Sequence, residues 1–352
     1  MADENSRSKF IHHFYHLSST IKYPSPFIGF TGKPGNQYQH IQFDTHGFRN
    51  AEAAGPRTDV DEIRVFVLGG STMVDGDTDA DTVSGRLEGE LRRMGVTRAK
   101  VFNFGVISSC FSQMSALIWS RLAIWEPDAL VVVGGGTDVT HPWTFDPRPG
   151  YPYNAFVIER IYDYLFDTER IQSRELGLNY DELTSLLYEH LNQLRQEIVW
   201  KSDAWERAII QRTQEVLQRL ALLGPALRTP IICVLQPTIV RKRHLDETER
   251  RAGSADYLAY LDRQYTRLEE VFAELEQLRQ KDRYFVSRNL SGLFADEKRG
   301  IFHDAAHYNS LGRQIMAEDL AQCLIPTLKR CRSAPASRPP LRHRLRNLMS
   351  LR

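Results

Sequence analysis

The sequence predicts an α/β protein built on a doubly wound, flavodoxin-like sheet of about five parallel strands, in a three-layer α/β/α arrangement with a long helical insertion. Two observations predict this fold. Short apolar runs that end in glycine or proline alternate with helical stretches along most of the chain, as in successive βαβ units. The runs are continuously apolar, which is typical of strands buried on both faces.

The predicted strands cover residues 63–70, 100–105, 128–136, 230–237 and, with a weaker pattern, 283–288. Apolar residues at helical spacing predict helices between them. The helices cover 81–94 and 112–125, about three segments between 155 and 223, then 247–281 and 309–328. Residues 150–228 exceed what one crossover needs, so we interpret them as an insertion. It is either a lid or partner-binding subdomain, or a solvated outer layer of helices.

The two ends of the chain differ from its middle. Residues 1–60 are rich in aromatics, histidine, glycine and proline without a clear period, which predicts an irregular arm around the core. Residues 61–328 form the predicted main domain. Residues 329–352 carry basic and no acidic side chains, with proline and serine interruptions, which predicts a disordered basic tail. Weak contact of the tail with an anionic membrane is the alternative.

The composition excludes several classes of protein. The 352 residues are 42% hydrophobic and 25% charged, with a formal net charge of +1, so no overall field indicates a nucleic-acid partner. No stretch approaches the ~18 apolar residues of a membrane span, and the N-terminus lacks the apolar core of a signal peptide. We therefore expect a cytoplasmic protein, with its four cysteines as free thiols because their spacing fits no metal site.

The residues that directly follow the predicted strands are the candidates for chemistry, because ligands of open α/β sheets bind beyond the carboxyl ends of the strands. Ser71 follows Gly69 and Gly70 after the first strand and precedes a helix, where backbone amides favour negative charge. Gly105 ends the second strand and offers a close backbone N–H. A glycine-rich loop with Thr137 follows the third strand.

Asp304 and His307 lie just before the last predicted helix. A carboxylate and an imidazole three residues apart can lie on one face of a helical turn. The carboxylate could then orient the imidazole while its second nitrogen accepts the proton of Ser71. Each signal alone is weak, since Ser71 could be a simple N-cap and a DxxH pair occurs by chance. Their occurrence together, in this order at strand ends, favours a catalytic triad.

The ordered blocks resemble those of the SGNH/GDSL hydrolases, a superfamily of serine esterases and acetylesterases, over residues 63–324. A segment HGFRN at 46–50 also resembles bacterial members. The resemblance implies that Ser71 is the nucleophile with Asp304 and His307 as its acid/base partners. It also implies that the amides of Ser71 and Gly105 form the oxyanion hole.

Two positions depart from the family pattern. Gly70 stands where the GDS motif has aspartate, and Thr137 stands where the GxND motif has asparagine. The asparagine amide belongs to the oxyanion hole, so Thr137 is the corresponding candidate, although its hydroxyl reaches less far. Complete loss of one oxyanion donor typically costs ~10²- to 10³-fold in rate, so the resemblance implies a slower enzyme.

Four further residues are candidates for substrate contact: Asp138, Arg148, Asn154 and Gln236. Bracing of the insertion is the alternative for the loop that contains Arg148 and Asn154, and pairing with backbone is the alternative for Gln236. The sequence leaves His141 and His303 without supporting partners, so we interpret both as bystanders. The histidines at 12, 13 and 16 lack metal-ligand spacing and are interpreted as arm residues.

The expected function is cleavage of carboxylic esters through an acyl-enzyme, without a metal or organic cofactor. Short acyl or acetyl groups on a carbohydrate or small alcohol are the substrates that the resemblance implies. An O-acetyltransferase with the same residues is one alternative. A catalytically weakened binding or scaffold protein that retains the fold is another. A nucleotide-binding protein is disfavoured because no G-x-x-x-x-G-K-[ST] motif occurs.

Overall fold

A computed structural model describes residues 21–153, 155–157, 159 and 180–332. Five of its strands form one parallel sheet, as the apolar runs predict. The described strands, in chain order, are β1 Tyr23–Ser25, β2 Gly29–Thr31, β3 Gln37–Tyr38, β4 Ile41–Gln42, β5 Ile63–Gly69, β6 Ala99–Gly105, β7 Ala129–Gly134, β8 Ile231–Leu235 and β9 Phe285–Asn289.

The described α-helices are α1 Ser71–Val74, α2 Val83–Arg93, α3 Phe111–Ser120, α4 Gly136–Thr144, α5 Tyr180–Glu197, α6 Asp203–Leu227, α7 Ala255–Arg279 and α8 Ser310–Arg332. Short 3-10 turns occupy Asp79–Asp81, Leu122–Trp125, Ile239–Arg241 and Glu249–Arg251. Three α-helices are shorter than predicted because a 3-10 turn occupies one end of each predicted range. The sequence did not predict α4 and the four-residue α1 as separate helices.

The order of strands in the sheet is β6-β5-β7-β8-β9, and every neighbouring pair is parallel. The chain goes from β5 outward to β6 on one side and then to β7 on the other, so the sheet has its topological switch point at β5. Ligands of doubly wound sheets bind at such a point, beyond the carboxyl ends of the strands. The loops after β5, β6 and β7 therefore meet where a site is expected.

The burial of the central strands explains why their sequences are continuously apolar. Every residue of β7 and β8 is buried, and only the first residue of β5 is partly accessible. The outermost strand β9 ends in two exposed residues, which accounts for its weaker pattern. Helices cover both faces of the sheet and complete a single large apolar core.

The prediction of a wholly irregular arm is wrong for the described part of residues 1–60. Two short antiparallel hairpins, β1–β2 and β3–β4, lie in it. Each strand has only two or three residues, too few to produce a readable alternation. Close packing also requires glycine here, since a Cβ at Gly47 (φ +85°) would lie 2.1 Å from the carbonyl oxygen of Gly32.

The described parts of the predicted insertion pack in two different places. Helix α6 buries ten of its residues and packs on α3, α7 and the sheet, so residues 203–227 are an ordinary crossover helix rather than a lid or a solvated layer. Helix α5 and residues 155–157 share a small separate apolar cluster. Residues 160–179 lie outside the described residues. Within the described part of the chain, no helix is long and apolar enough to cross a membrane.

Candidate active site

The turn between β5 and α1 presents Ser71 at the switch point. Gly70 is the N-cap of α1, so Ser71 is its first helical residue. Both preceding glycines are required by close packing, because a Cβ at Gly69 would lie 2.3 Å from Met73 Cγ and one at Gly70 would lie 2.9 Å from Thr137 Oγ1. The hydroxyl of Thr137 therefore lies directly beside the turn that carries Ser71.

The structure brings Ser71, His307 and Asp304 into one hydrogen-bonded chain. His307 Nε2 lies 2.6 Å from Ser71 Oγ, and His307 Nδ1 lies 2.7 Å from Asp304 Oδ2. The second oxygen of Asp304 accepts the backbone amides of Ala306 and His307 at 2.8 Å each. These contacts fix the carboxylate, which in turn fixes the orientation of the imidazole. The arrangement is that of a nucleophile, a base and the group that orients the base.

Charges around this chain shift two pKa values. Burial favours the neutral form of His307, but the hydrogen bond and charge of Asp304, with the charge of Asp75, outweigh it and raise the pKa of His307 above its usual value. Burial likewise opposes ionisation of Asp304, yet His307 and the two backbone amides lower its pKa to about 2. Asp304 is therefore a carboxylate at neutral pH and stabilises a protonated His307.

A buried ion pair supports the loop that carries His307. Lys242 Nζ lies 2.5 Å from Glu249 Oε2, and both side chains are fully buried. The other oxygen of Glu249 accepts the amides of Ile301 at 2.8 Å and Phe302 at 2.9 Å. Because a buried carboxylate loses much stability without its partners, this network fixes the backbone just before the Asp304–His307 pair.

Arg49, within the HGFRN segment, supports the other side of the site. Its Nη1 atom donates to the carbonyl oxygens of Val74 at 2.7 Å and Gly76 at 2.9 Å. Its Nε atom donates to Asp79 Oδ1 at 2.9 Å. The last carbonyls of a helix have no partner within the helix. The buried guanidinium supplies hydrogen-bond donors to carbonyls at and just beyond the C-terminal end of α1.

Asn50, the next residue, connects the arm to the edge strand β6. Its side-chain amide donates to the carbonyl oxygen of Asn103 at 3.0 Å and accepts the amide of Asn103 at 2.7 Å, as a neighbouring strand would. The side chain of Asn103 donates in turn to Met73 O in α1 at 2.7 Å. The arm, the edge strand β6 and the serine helix are thus one connected network.

Gly105 does not lie where the resemblance implies. It is the last residue of β6, and its amide donates to Asn103 Oδ1 at 2.8 Å, so this N–H is already used inside the protein. Ser108, three residues later, lines the cavity beside Ser71. Its φ is +68°, an uncommon conformation for a non-glycine residue. Ser108 is therefore a better candidate than Gly105 for the second backbone donor.

A cavity of about 360 Å³ opens beside Ser71 and His307. Its wall includes the polar side chains of Ser108, Thr137, Thr140, His141 and Gln236, with Ile107 and Phe145 as apolar members. Among the described residues of this wall, His307 is the side chain that can carry a charge near neutral pH. Within the described residues, the hydroxyls of Ser108, Thr137 and Thr140 make no hydrogen bond to the protein. These groups are available to a ligand.

The four predicted substrate contacts have different positions. Gln236 lines the cavity and packs over Gly136, where a Cβ would lie 2.4 Å from its Nε2 atom. Asp138 points inward instead and accepts the amides of Phe111 and Gly135. Burial raises the pKa of Asp138 to about 6, against these amide bonds. Asp138 therefore stabilises the start of α4, and it is not among the described residues of the cavity wall.

Arg148 is also directed away from the cavity. It forms ion pairs with Asp146 at 2.8 Å and Glu159 at 2.9 Å and stacks on Tyr151. It braces the loop, which was the alternative interpretation, and it is not among the residues of the cavity wall. Asn154 lies outside the described residues.

Sequence patterns miss His141 and Ser108, both of which line the cavity. The only available signals were their positions, four residues after Thr137 and three after Gly105, in loops already singled out. His303 is exposed, as a bystander would be. In the described part of the chain, no group of three or more His, Cys, Asp or Glu side chains could hold a metal ion.

The fold is similar to that of several solved proteins. An acetyl xylan esterase is 15% identical with a TM-score of 0.40, over 75% of this chain and 100% of that one. An acetylxylan esterase from Geobacillus stearothermophilus is 13% identical with a TM-score of 0.40, over 75% and 93%. A protein assigned to the G-D-S-L lipolytic family from Desulfitobacterium hafniense is 8% identical with a TM-score of 0.41, over 74% and 99%. No protein-family model and no curated protein matches the sequence.

Proposed function

We propose that the protein is a serine hydrolase of the SGNH/GDSL type that cleaves carboxylic esters through an acyl-enzyme. One observation carries the proposal: Ser71 Oγ lies 2.6 Å from His307 Nε2, whose other ring nitrogen lies 2.7 Å from Asp304. The rival interpretation, a weakened scaffold, would be favoured by a broken contact between Ser71 and His307 or by a Thr137 hydroxyl far from them. The contact between Ser71 and His307 and the position of Thr137 in the same cavity wall support the hydrolase.

In the first half of the reaction, His307 accepts the Ser71 proton as Oγ attacks the ester carbonyl. Asp304 stabilises the resulting imidazolium. The negative charge on the carbonyl oxygen is stabilised by the backbone amides of Ser71 and Ser108, which have no acceptor within the described residues. The hydroxyl of Thr137 adds a third donor. Preorganised donors of this kind usually contribute more to the rate of acyl transfer than any other single effect.

In the second half, the protonated His307 gives its proton to the departing alkoxide, and the alcohol leaves. Water then occupies its position, loses a proton to His307 and attacks the acyl group on Ser71. The acid is released as the proton returns to Oγ. Every step uses groups of this chain and water.

We propose a short acyl ester of a carbohydrate or small alcohol as the substrate. A cavity of about 360 Å³ is small, at the lower end of the ~300–1,000 Å³ range of ligand pockets, so a long fatty acyl chain would not fit inside it. Its uncommitted hydroxyl and amide groups suit neutral partners that make several hydrogen bonds. The described residues of its wall include no fixed cation for a carboxylate or phosphate.

The test is hydrolysis of 4-nitrophenyl acetate by the wild type, Ser71→Ala and a control, Ser120→Ala. Ser120 is exposed at the end of α3. We expect Ser71→Ala to lose at least about 10⁴-fold in kcat and Ser120→Ala to match the wild type. A folded wild type without activity, or equal activity in both variants, would refute the proposal.

A further inference from the structure

His141 is a second histidine of the cavity wall with no role in the mechanism above. It lies on α4, four residues after Thr137, so both side chains lie on the same face of the helix. Both belong to the wall of the cavity that contains Ser71 and His307. Its position makes it a candidate for contact with substrate rather than with the reacting atoms.

The imidazole of His141 has no hydrogen-bond partner in the described part of the chain, although only 8% of the residue is exposed. Its Nδ1 atom is completely buried in this state. The other ring nitrogen, Nε2, is not among the fully buried unpartnered atoms, so it is the nitrogen that a ligand in the cavity can reach with a hydrogen bond. The uncommitted ring therefore points to a ligand group.

The orientation of the ring is fixed by aromatic neighbours. Phe145 and Tyr153 each pack edge-on against His141 at a centroid distance of 5.4 Å. These two rings also contact each other, at 4.5 Å. A ring fixed in this way has lost its rotational freedom before any ligand arrives, so binding costs less entropy.

A lysine side chain lies behind the same aromatic cluster. Lys22 Nζ lies 4.6 Å from the centre of the Tyr153 ring and 4.0 Å from that of Phe30, and it donates to the carbonyl oxygen of Ile107. Burial, and then the charge of Lys22, lower the pKa of His141 to about 3. His141 is therefore neutral at physiological pH, with one N–H donor and one acceptor nitrogen.

We propose that His141 is a specificity-determining residue that binds a hydroxyl group of the substrate. A hydroxyl both donates and accepts, as a neutral imidazole does, whereas a carboxylate or phosphate would require a cation. This inference rests on the proposed function and narrows its substrate class to esters that carry a free hydroxyl. The hydroxyl belongs either to the alcohol half, as in a partly acetylated sugar, or to the acyl half, as in a hydroxy acid.

The test compares three substrates: 4-nitrophenyl acetate without a hydroxyl, 4-nitrophenyl lactate with one on the acyl half, and a monoacetylated methyl xyloside with hydroxyls on the alcohol half. The variants are His141→Phe, which keeps an aromatic ring, and His141→Gln, which keeps a donor and an acceptor. His244→Phe is the control, since His244 is exposed. The readout is kcat/KM for each hydroxyl-bearing ester relative to 4-nitrophenyl acetate.

We expect His141→Phe to lower this ratio by about 10- to 100-fold for one of the two hydroxyl-bearing esters, because one hydrogen bond to a buried group is lost. The ester that responds identifies the half that carries the hydroxyl. His141→Gln should recover part of the ratio, and His244→Phe should match the wild type.

Unchanged ratios for both esters in a folded His141→Phe variant would overturn the role of His141, as would a wild type that hydrolyses 4-nitrophenyl acetate but neither hydroxyl-bearing ester. A wild type inactive on all three, with Ser71 unreactive, would refute the proposed function instead. The two failures are thus distinguishable.

Discussion

Two histidines line one cavity and have opposite surroundings. His307 is hydrogen-bonded at both ring nitrogens, to Ser71 and to Asp304. His141 has no hydrogen-bond partner at either nitrogen within the described residues and lies near the buried Lys22. The pKa of His307 is raised, whereas that of His141 is lowered to about 3. Burial lowers the pKa of His141, whereas the hydrogen bond and charge of Asp304 overcome burial at His307, so only His307 can exchange protons near neutral pH.

The contrast extends to the backbone behind each residue. Ser71 and His307 are each supported by a buried hydrogen-bond network. Arg49 and Asn50 support the helix that begins at Ser71, and the Lys242–Glu249 pair supports the loop that carries His307. The ring of His141 instead packs against Phe145 and Tyr153, and its nitrogens have no hydrogen-bond partner within the described residues. One wall of the cavity is built to keep reacting atoms in place, and the other is built to accept a ligand.

The largest expected effect comes from removing the charge beside His307. Asp304→Asn should lower kcat by about 10³- to 10⁴-fold, because an amide neither stabilises the imidazolium nor ensures the correct tautomer. Steady-state kinetics with 4-nitrophenyl acetate measures this. Asp319→Asn is the control, since Asp319 pairs with Arg288 at a distance from the cavity wall. If Asp304→Asn retained more than a tenth of the activity, His307 would not depend on its carboxylate.

The second expected effect concerns the hydroxyl beside the serine turn. Thr137→Val keeps the shape of the side chain and removes its donor, so kcat should fall by about 10- to 100-fold with little change in KM. Thr137→Ser keeps the hydroxyl and should stay close to the wild type. A Thr137→Val enzyme with full kcat would exclude this hydroxyl from the oxyanion hole.

A smaller effect is expected from the arm. Arg49→Ala leaves the carbonyl oxygen of Val74 without its donor and that of Gly76 with His40 Nε2 as its remaining partner, and should destabilise the fold by about 1–3 kcal/mol. Looser positioning of Ser71 should slow fluorophosphonate labelling by about 10-fold. Denaturant unfolding and labelling rates measure the two effects, and Arg49→Lys should recover part of each. Unaltered labelling in a destabilised Arg49→Ala protein would leave the arm a purely structural role.

The smallest expected effect is a shift in pH dependence. A base must be neutral, so kcat/KM should rise with pH through the raised pKa of His307, with a midpoint above the ordinary value of about 6.5. In Asp304→Asn this midpoint should move to lower pH. His141 should add no second step between about pH 5 and 8, and NMR titration of the two rings can check this directly. A His141 that titrates in that range would remove the contrast between the two histidines.

The features that follow from local patterns were predictable from the sequence. Five strands were predicted because a strand buried on both faces needs continuous apolar residues, as Val131 and Ile232 illustrate with no exposed surface at all. Ser71, Asp304 and His307 could be paired from sequence because each stands in a short motif at a strand or helix end. Their hydrogen bonds now give that hypothesis a geometry.

The features that depend on contacts between distant residues were not predictable. We propose Ser108 rather than Gly105 as a donor because of a left-handed turn and the bond from Gly105 to Asn103, neither of which a glycine pattern reveals. The pKa of His141 is lowered by burial and then by the charge of Lys22, which lies in an arm whose strands are too short for any periodicity. Tertiary contacts of this kind produce no regular pattern of residues in the sequence.

The central claim is that His307 activates Ser71. Intact-mass analysis after treatment with a fluorophosphonate tests it most directly, on the wild type, Ser71→Ala, His307→Ala and the control Ser120→Ala. The account predicts one label per chain in the wild type and in Ser120→Ala, and no label in the other two over the same time. A folded wild type that stays unlabelled, or a Ser71→Ala protein that labels as fast as the wild type, would contradict it.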